Sequence, residues 1–171
     1  MPPVPLATKY SALCEIVRAQ HFAWREAVRR SCPGVEPGEV VGRMWELTGE
    51  ETAAAYLRRI DRTKPLAAQV AAGIAFSSQC MGEDAVAEPG GGTDEAFVRH
   101  RACPWQGWHE RKGLTAEDRP ACDRWFSATV EALGRALGVK LRFETLSSLP
   151  EGGVSCLRRL WVEGRTPGGS S

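Results

Sequence analysis

The chain has 171 residues, 43% of them hydrophobic and 25% charged, with a formal net charge of +1. That is chain enough for one globular domain with an ordinary core. A balance so close to zero excludes the basic field that holds nucleic acid or an anionic membrane surface, and apolar runs such as Ala71 to Phe76 are too short to span a bilayer.

The opening stretch, MPPVPLATKY, has no basic n-region and no continuous apolar segment, so a cytoplasmic protein without a secretory signal is expected. From residue 5 to 31, Leu6, Tyr10, Leu13, Val17, Phe22, Trp24 and Val28 recur at helical spacings and predict a long amphipathic helix. CPGVEPG at 32–38 breaks it. A second helix is expected from Glu39 to Leu47, and a third after the capping signal TGEE at 48–51, running to Ile60. A fourth has Pro65 in its first turn and Leu66, Val70, Ile74 and Phe76 on its apolar face.

After Met81 the pattern changes. DAVAE and AFVRHRAC flank a glycine-rich turn and predict a strand pair. PWQGWHERKG predicts a short helix, and ACDRWFSATVEALGRALG a longer one ended by Gly138. VKLRFETLSSL and VSCLRRLWVEG alternate apolar and polar residues and predict two more strands. The expected fold is therefore α+β: N-terminal helices packed on a small ββ-αα-ββ unit with an antiparallel sheet. Residues 1–164 are read as one domain, with a helical lead at 5–82, a sheet-containing half at 83–164 and a disordered tail at 165–171.

The six cysteines, at 14, 32, 80, 103, 122 and 156, contain no C-x-x-C pair, and in a cytoplasmic chain they are read as thiols. RHRACPWQGWHERKG, 99–113, concentrates reactive and aromatic side chains. Cys103 precedes Pro104 and a helix start, where free N–H groups and the helix dipole lower a thiol pKa. His100 and His109 offer a base, and Arg99, Arg101 and Arg111 add positive potential. The competing reading makes Cys103 a small core residue. Cys122 and Cys156, on a helix and a strand of the same half, could join Cys103 as supporting thiols or as ligands of a metal. Glu83 follows a helix C-terminus, where an acid opposes the dipole, and is read either as a group aimed into a cavity or as a solvated loop residue. Trp105, Trp108 and Trp125 could line a site for a planar ligand or could be plain core.

CPW, PACDRW and FETLSSLPEGGVSC, preceded by KPLAAQVAAGIAFSSQCMGED, resemble in order the L-2-amino-thiazoline-4-carboxylic acid hydrolase-like family over about residues 64 to 161. The resemblance implies hydrolysis of a cyclic amidine and carries over Cys103, Cys122 and Cys156 as the family's cysteine positions. Relatives often have a further Cys shortly before the position of Cys122, where this chain has EDRPAC.

The expected function is thus a cysteine-dependent hydrolase acting on a C=N or C–S centre of a thiazoline- or amidine-like metabolite, in sulfur or secondary metabolism. The Cys103 thiolate would attack, and His109 or His100 would move protons. Asp123 or Glu83 would bind an amidinium, Arg101 a carboxylate, and Trp105 the body of the substrate. One alternative is an enzyme with a thiolate-bound metal or iron–sulfur cluster on Cys103, Cys122 and Cys156. Another is a non-enzymatic small-ligand-binding module. The expected partner is a small molecule, with no nucleic acid and no membrane; assembly with further copies of itself stays open, and no cofactor is firmly implied.

Overall fold

A computed structural model describes residues 3–164, so the tail expected to be disordered lies outside the described residues. Helix α1 (Leu6–Ser31) begins at Pro5 and buries Cys14, Arg18, His21 and Phe22 on one face. Helix α2 (Pro37–Leu57) starts with Pro at its first position, where a missing N–H costs nothing, and with the Glu36 side chain accepting from Gly38 N at 3.3 Å. It joins the second and third helices expected from the sequence. The Thr48 hydroxyl does not cap a new start; it donates back to the Met44 carbonyl at 2.8 Å, as Thr52 does to Thr48 at 2.7 Å, and both bonds fit an unbroken helix. Gly49 stays in the helix interior because α5 (Thr115–Leu137) passes there: a Cβ would stand 2.6 Å from the Trp125 carbonyl oxygen.

Helix α3 (Leu66–Cys80) has no cap of its own at Pro65. Its free Ala67 N–H donates to Asp94 Oδ1 at 2.7 Å, so a side chain from a later turn closes the helix start. Strands β1 (Asp84–Pro89) and β2 (Glu95–Ala102) form the expected hairpin, and α4 (Pro104–Lys112) follows directly. Helix α5 begins six residues before the expected Ala121, at Thr115, and contains Pro120. Proline near a helix start removes only an early backbone bond, and Glu117 and Asp118 in the first turn complement the dipole.

Strands β3 (Leu141–Ser147) and β4 (Cys156–Val162) complete a four-stranded antiparallel sheet of order β1-β2-β4-β3. The fold is α+β, as expected: among the described residues, five α-helices and this sheet, with N-terminal helices leading into it. Helix α3 packs on β1 and β2, α5 on β3, and α2 along α5.

The inner face of the sheet changes character along its length. Ala96, Val98, Leu160, Val162 and Leu141 enter the apolar core with Ile74, Phe126 and Leu133. Strand alternation places His100, Cys156 and Arg158 on that same face, beyond the apolar patch. His100 is paired with Cys156, Val98 with Arg158, and Thr145 with Arg158. One end of the face is core, and the other is the polar floor of a cavity.

Candidate functional site

The cavity has a volume of about 690 Å³, within the roughly 300–1,000 Å³ of small-molecule sites. Helices α1 and α2 contribute Trp24, Met44 and Trp45 to its wall, α3 adds Phe76, α4 adds Trp105, and α5 adds Trp125 and Phe126. His21 lies among these rings, with centroids 5.0 Å from Phe22, 5.3 Å from Trp105 and 5.5 Å from Trp45. Burial there disfavours the imidazolium and pulls its pKa down to about 4.

The inner end is polar. Ser78 Oγ lies 2.9 Å from His100 Nε2, and Glu83 Oε2 lies 3.2 Å from the same nitrogen. The Glu83 side chain is 12% exposed and lines the cavity, so the acid after α3 is turned inward. His109 Nδ1 donates to the Trp105 carbonyl at 3.0 Å and stands 3.5 Å from Asp118 Oδ2. Asp118 is 8% exposed, and its Oδ2 accepts no hydrogen bond. Burial raises its pKa, against the opposing pull of His109 and Arg158. Arg158, 2% exposed, has its guanidinium 4.3 Å over the Phe126 ring and its Nη2 3.4 Å from Asp123 Oδ1. Its Nε has no partner.

Cys103, Cys122 and Cys156 all line this one cavity, with Cys80. Cys103 sits at the N-cap of α4, the position that should favour a thiolate. Burial and the neighbouring carboxylates of Glu83 and Asp118 outweigh the helix dipole, and its pKa is pushed well up. Burial likewise pushes the Cys122 thiol up to about 12, although Arg158 pulls the other way. Cys122 Sγ accepts from Arg158 Nη2 at 3.2 Å, and Cys156 Sγ accepts from Leu149 N at 3.2 Å. Among the described residues, no three His, Cys, Asp or Glu side chains are arranged to hold a metal ion.

The remaining candidates divide. His109, Trp105, Trp125 and Glu83 line the cavity. Arg101 does not; it is an exposed side chain 4.0 Å from Asp84. Asp123 turns to Arg119, Thr145 and Arg158, at 3.2, 2.8 and 3.4 Å, and so serves the wall behind Arg158. Trp108 leaves the cavity to stack on Phe22 at 5.6 Å and donate to Glu15 at 3.1 Å. Asp118, Arg158, Trp45 and His21 were not singled out from the sequence. With α5 extended back to Thr115, Asp118, Cys122 and Trp125 fall at i, i+4 and i+7 on one face, the signal that could have found Asp118.

No family model matches the chain, and no curated protein does. The resemblance to the thiazoline hydrolase-like family gains no support there. Among solved structures the chain is similar to a trafficking protein particle complex subunit 3 from Naegleria fowleri, covalently bound to palmitic acid. The TM-score is 0.55 at 10% identity, over 90% of this chain and 96% of that one.

The fold is thus shared with a subunit of a trafficking complex, and this finding overturns the expected cysteine-dependent enzyme. The physical reason lies in the thiols. A nucleophilic cysteine needs its thiolate at neutral pH, and burial keeps Cys103 and Cys122 protonated. The attack on a C=N or C–S carbon, the thiazoline substrate and the place in sulfur or secondary metabolism are withdrawn with it. Among the described residues no helix is long and apolar enough to cross a membrane.

Proposed function

We propose that the chain is a non-enzymatic module that binds an apolar small molecule. The cavity carries this reading: about 690 Å³ walled by Trp24, Trp45, Trp105, Trp125 and Phe126, with a few polar groups at its inner end. Burying apolar ligand surface there yields about 25 cal/mol per Å², the main driving force such a site offers. The palmitic acid on the Naegleria protein supports an elongated hydrocarbon as occupant. That protein is by name a complex subunit, which supports a protein partner here, with Leu6, Leu13 and Ile16 exposed on α1 as a surface for it. Six free cysteines support a reducing, cytoplasmic setting.

Titration of the full chain with Nile red tests the reading. Saturable binding of one dye per chain is expected. Ala121→Trp and, independently, Val17→Trp place an indole in the cavity and should abolish binding while circular dichroism stays unchanged. A dye that binds both folded variants as well as the parent chain would refute the cavity as the site.

A further inference from the structure

We infer that the ligand is an amphiphile with a primary amine head, its ammonium seated beside the carboxylates of Asp118 and Glu83 at the inner end of the cavity. This deepens the binding-module reading and rests on it. The observation that points to a ligand is Asp118. It lines the cavity at 8% exposure with an oxygen that accepts no hydrogen bond. A buried carboxylate oxygen left unpaired costs about 1–3 kcal/mol or more, so a donor from the ligand is the economical partner. His109 does not supply it, because its Nδ1 proton is directed at the Trp105 carbonyl 3.0 Å away.

The charge balance agrees. Arg158 faces Asp123 at 3.4 Å, and Arg119 is held by Asp123 and Glu151. Those pairs offset one another. Glu83 and Asp118 remain, each with a histidine as its nearest cation, at 3.2 and 3.5 Å, and neither makes an ion pair with an arginine or lysine side chain among the described residues. Glu83 also stands just past the C-terminus of α3, where the dipole is negative and an acid is unfavourable unless a cation joins it. The raised pKa of Asp118 reports the same excess of uncompensated burial. A carboxylate head would meet both acids, and a head without a donor would leave Asp118 Oδ2 unpaired. The hydrocarbon body then lies among Trp45, Trp105 and Trp125.

The test compares dodecylamine with dodecanoate on the full chain at pH 7, by displacement of Nile red. Dodecylamine should bind at least ten times more tightly. Asp118→Asn and, separately, Glu83→Gln should cut that preference to threefold or less while circular dichroism stays unchanged. Equal affinity, or tighter dodecanoate, would overturn the amine head and leave the apolar cavity standing. Failure of Nile red itself to bind would remove the cavity reading and this inference together.

Discussion

Arg158 Nη2 stands 3.2 Å from Cys122 Sγ, and a guanidinium this close still fails to make the thiol acidic. The attraction is real, but desolvation of a thiolate at the cavity floor is larger, and the thiol ends near 12. Arg158 and Cys122 are thus a charged group and a neutral one packed together, with the guanidinium also lying over the Phe126 ring.

Limited alkylation follows from this. With sub-stoichiometric iodoacetamide at pH 7, Cys32 and Cys80, both exposed, should be modified first. Cys103 and Cys122 should lag by a factor of about ten or more, since only the thiolate reacts. Mass-spectrometric mapping reads the order, and early labelling of Cys103 would restore it as a reactive centre.

Acid should weaken the fold through His21. Its pKa is about 4 in the folded chain and 6.5 without the burial, so between these values the unfolded state binds the extra proton. Stability then rises with pH across that window and is lost as pH falls from 6.5 towards 4. Asp118 acts in the opposite sense, because a raised carboxyl pKa lets the native state hold the proton longer. Replacing His21 by Phe should flatten the decline between pH 6.5 and 4.5 measured by urea denaturation; an unchanged slope would exclude His21 as its source.

Gly49→Ala should cost about 1–3 kcal/mol, the usual penalty for overpacking. The added methyl would lie 2.6 Å from the Trp125 carbonyl oxygen and 2.9 Å from Ala128 Cβ, forcing α2 off α5. Gly91→Ala is the control: its Cβ meets only Glu95 Oε2, at 4.0 Å, and should move stability by less than about 0.5 kcal/mol.

Asp94→Ala should cost about 1–2 kcal/mol, the loss typical of an N-cap, because Ala67 N–H loses its acceptor inside the core. Equilibrium denaturation measures it, and a loss below about 0.3 kcal/mol would mean that water replaces the carboxylate.

The α+β layout was legible because each element carries its own period. The four strands alternate, and α1 and α3 show helical apolar spacing. Two boundaries misled for local reasons. TGEE reads as a cap, but the Thr48 hydroxyl bonds backward in one continuous α2. The helix expected from Ala121 begins at Thr115, with Pro120 inside it. The second error hid Asp118. Arg158 was legible in principle, since it shares strand parity with Leu160 and Val162, yet an arginine on an inward face gives no hint of its neighbours. That Asp94 caps α3 is a contact between distant segments, with no local signal at all.

The most direct measurement is a crystal structure of the chain with 12-bromododecylamine, read by bromine anomalous scattering. The account predicts one strong peak inside the cavity between Trp45 and Trp125, with the amine density reaching Asp118. A peak on the exposed face of α1, against Leu6 or Ile16, with none in the cavity, would contradict it.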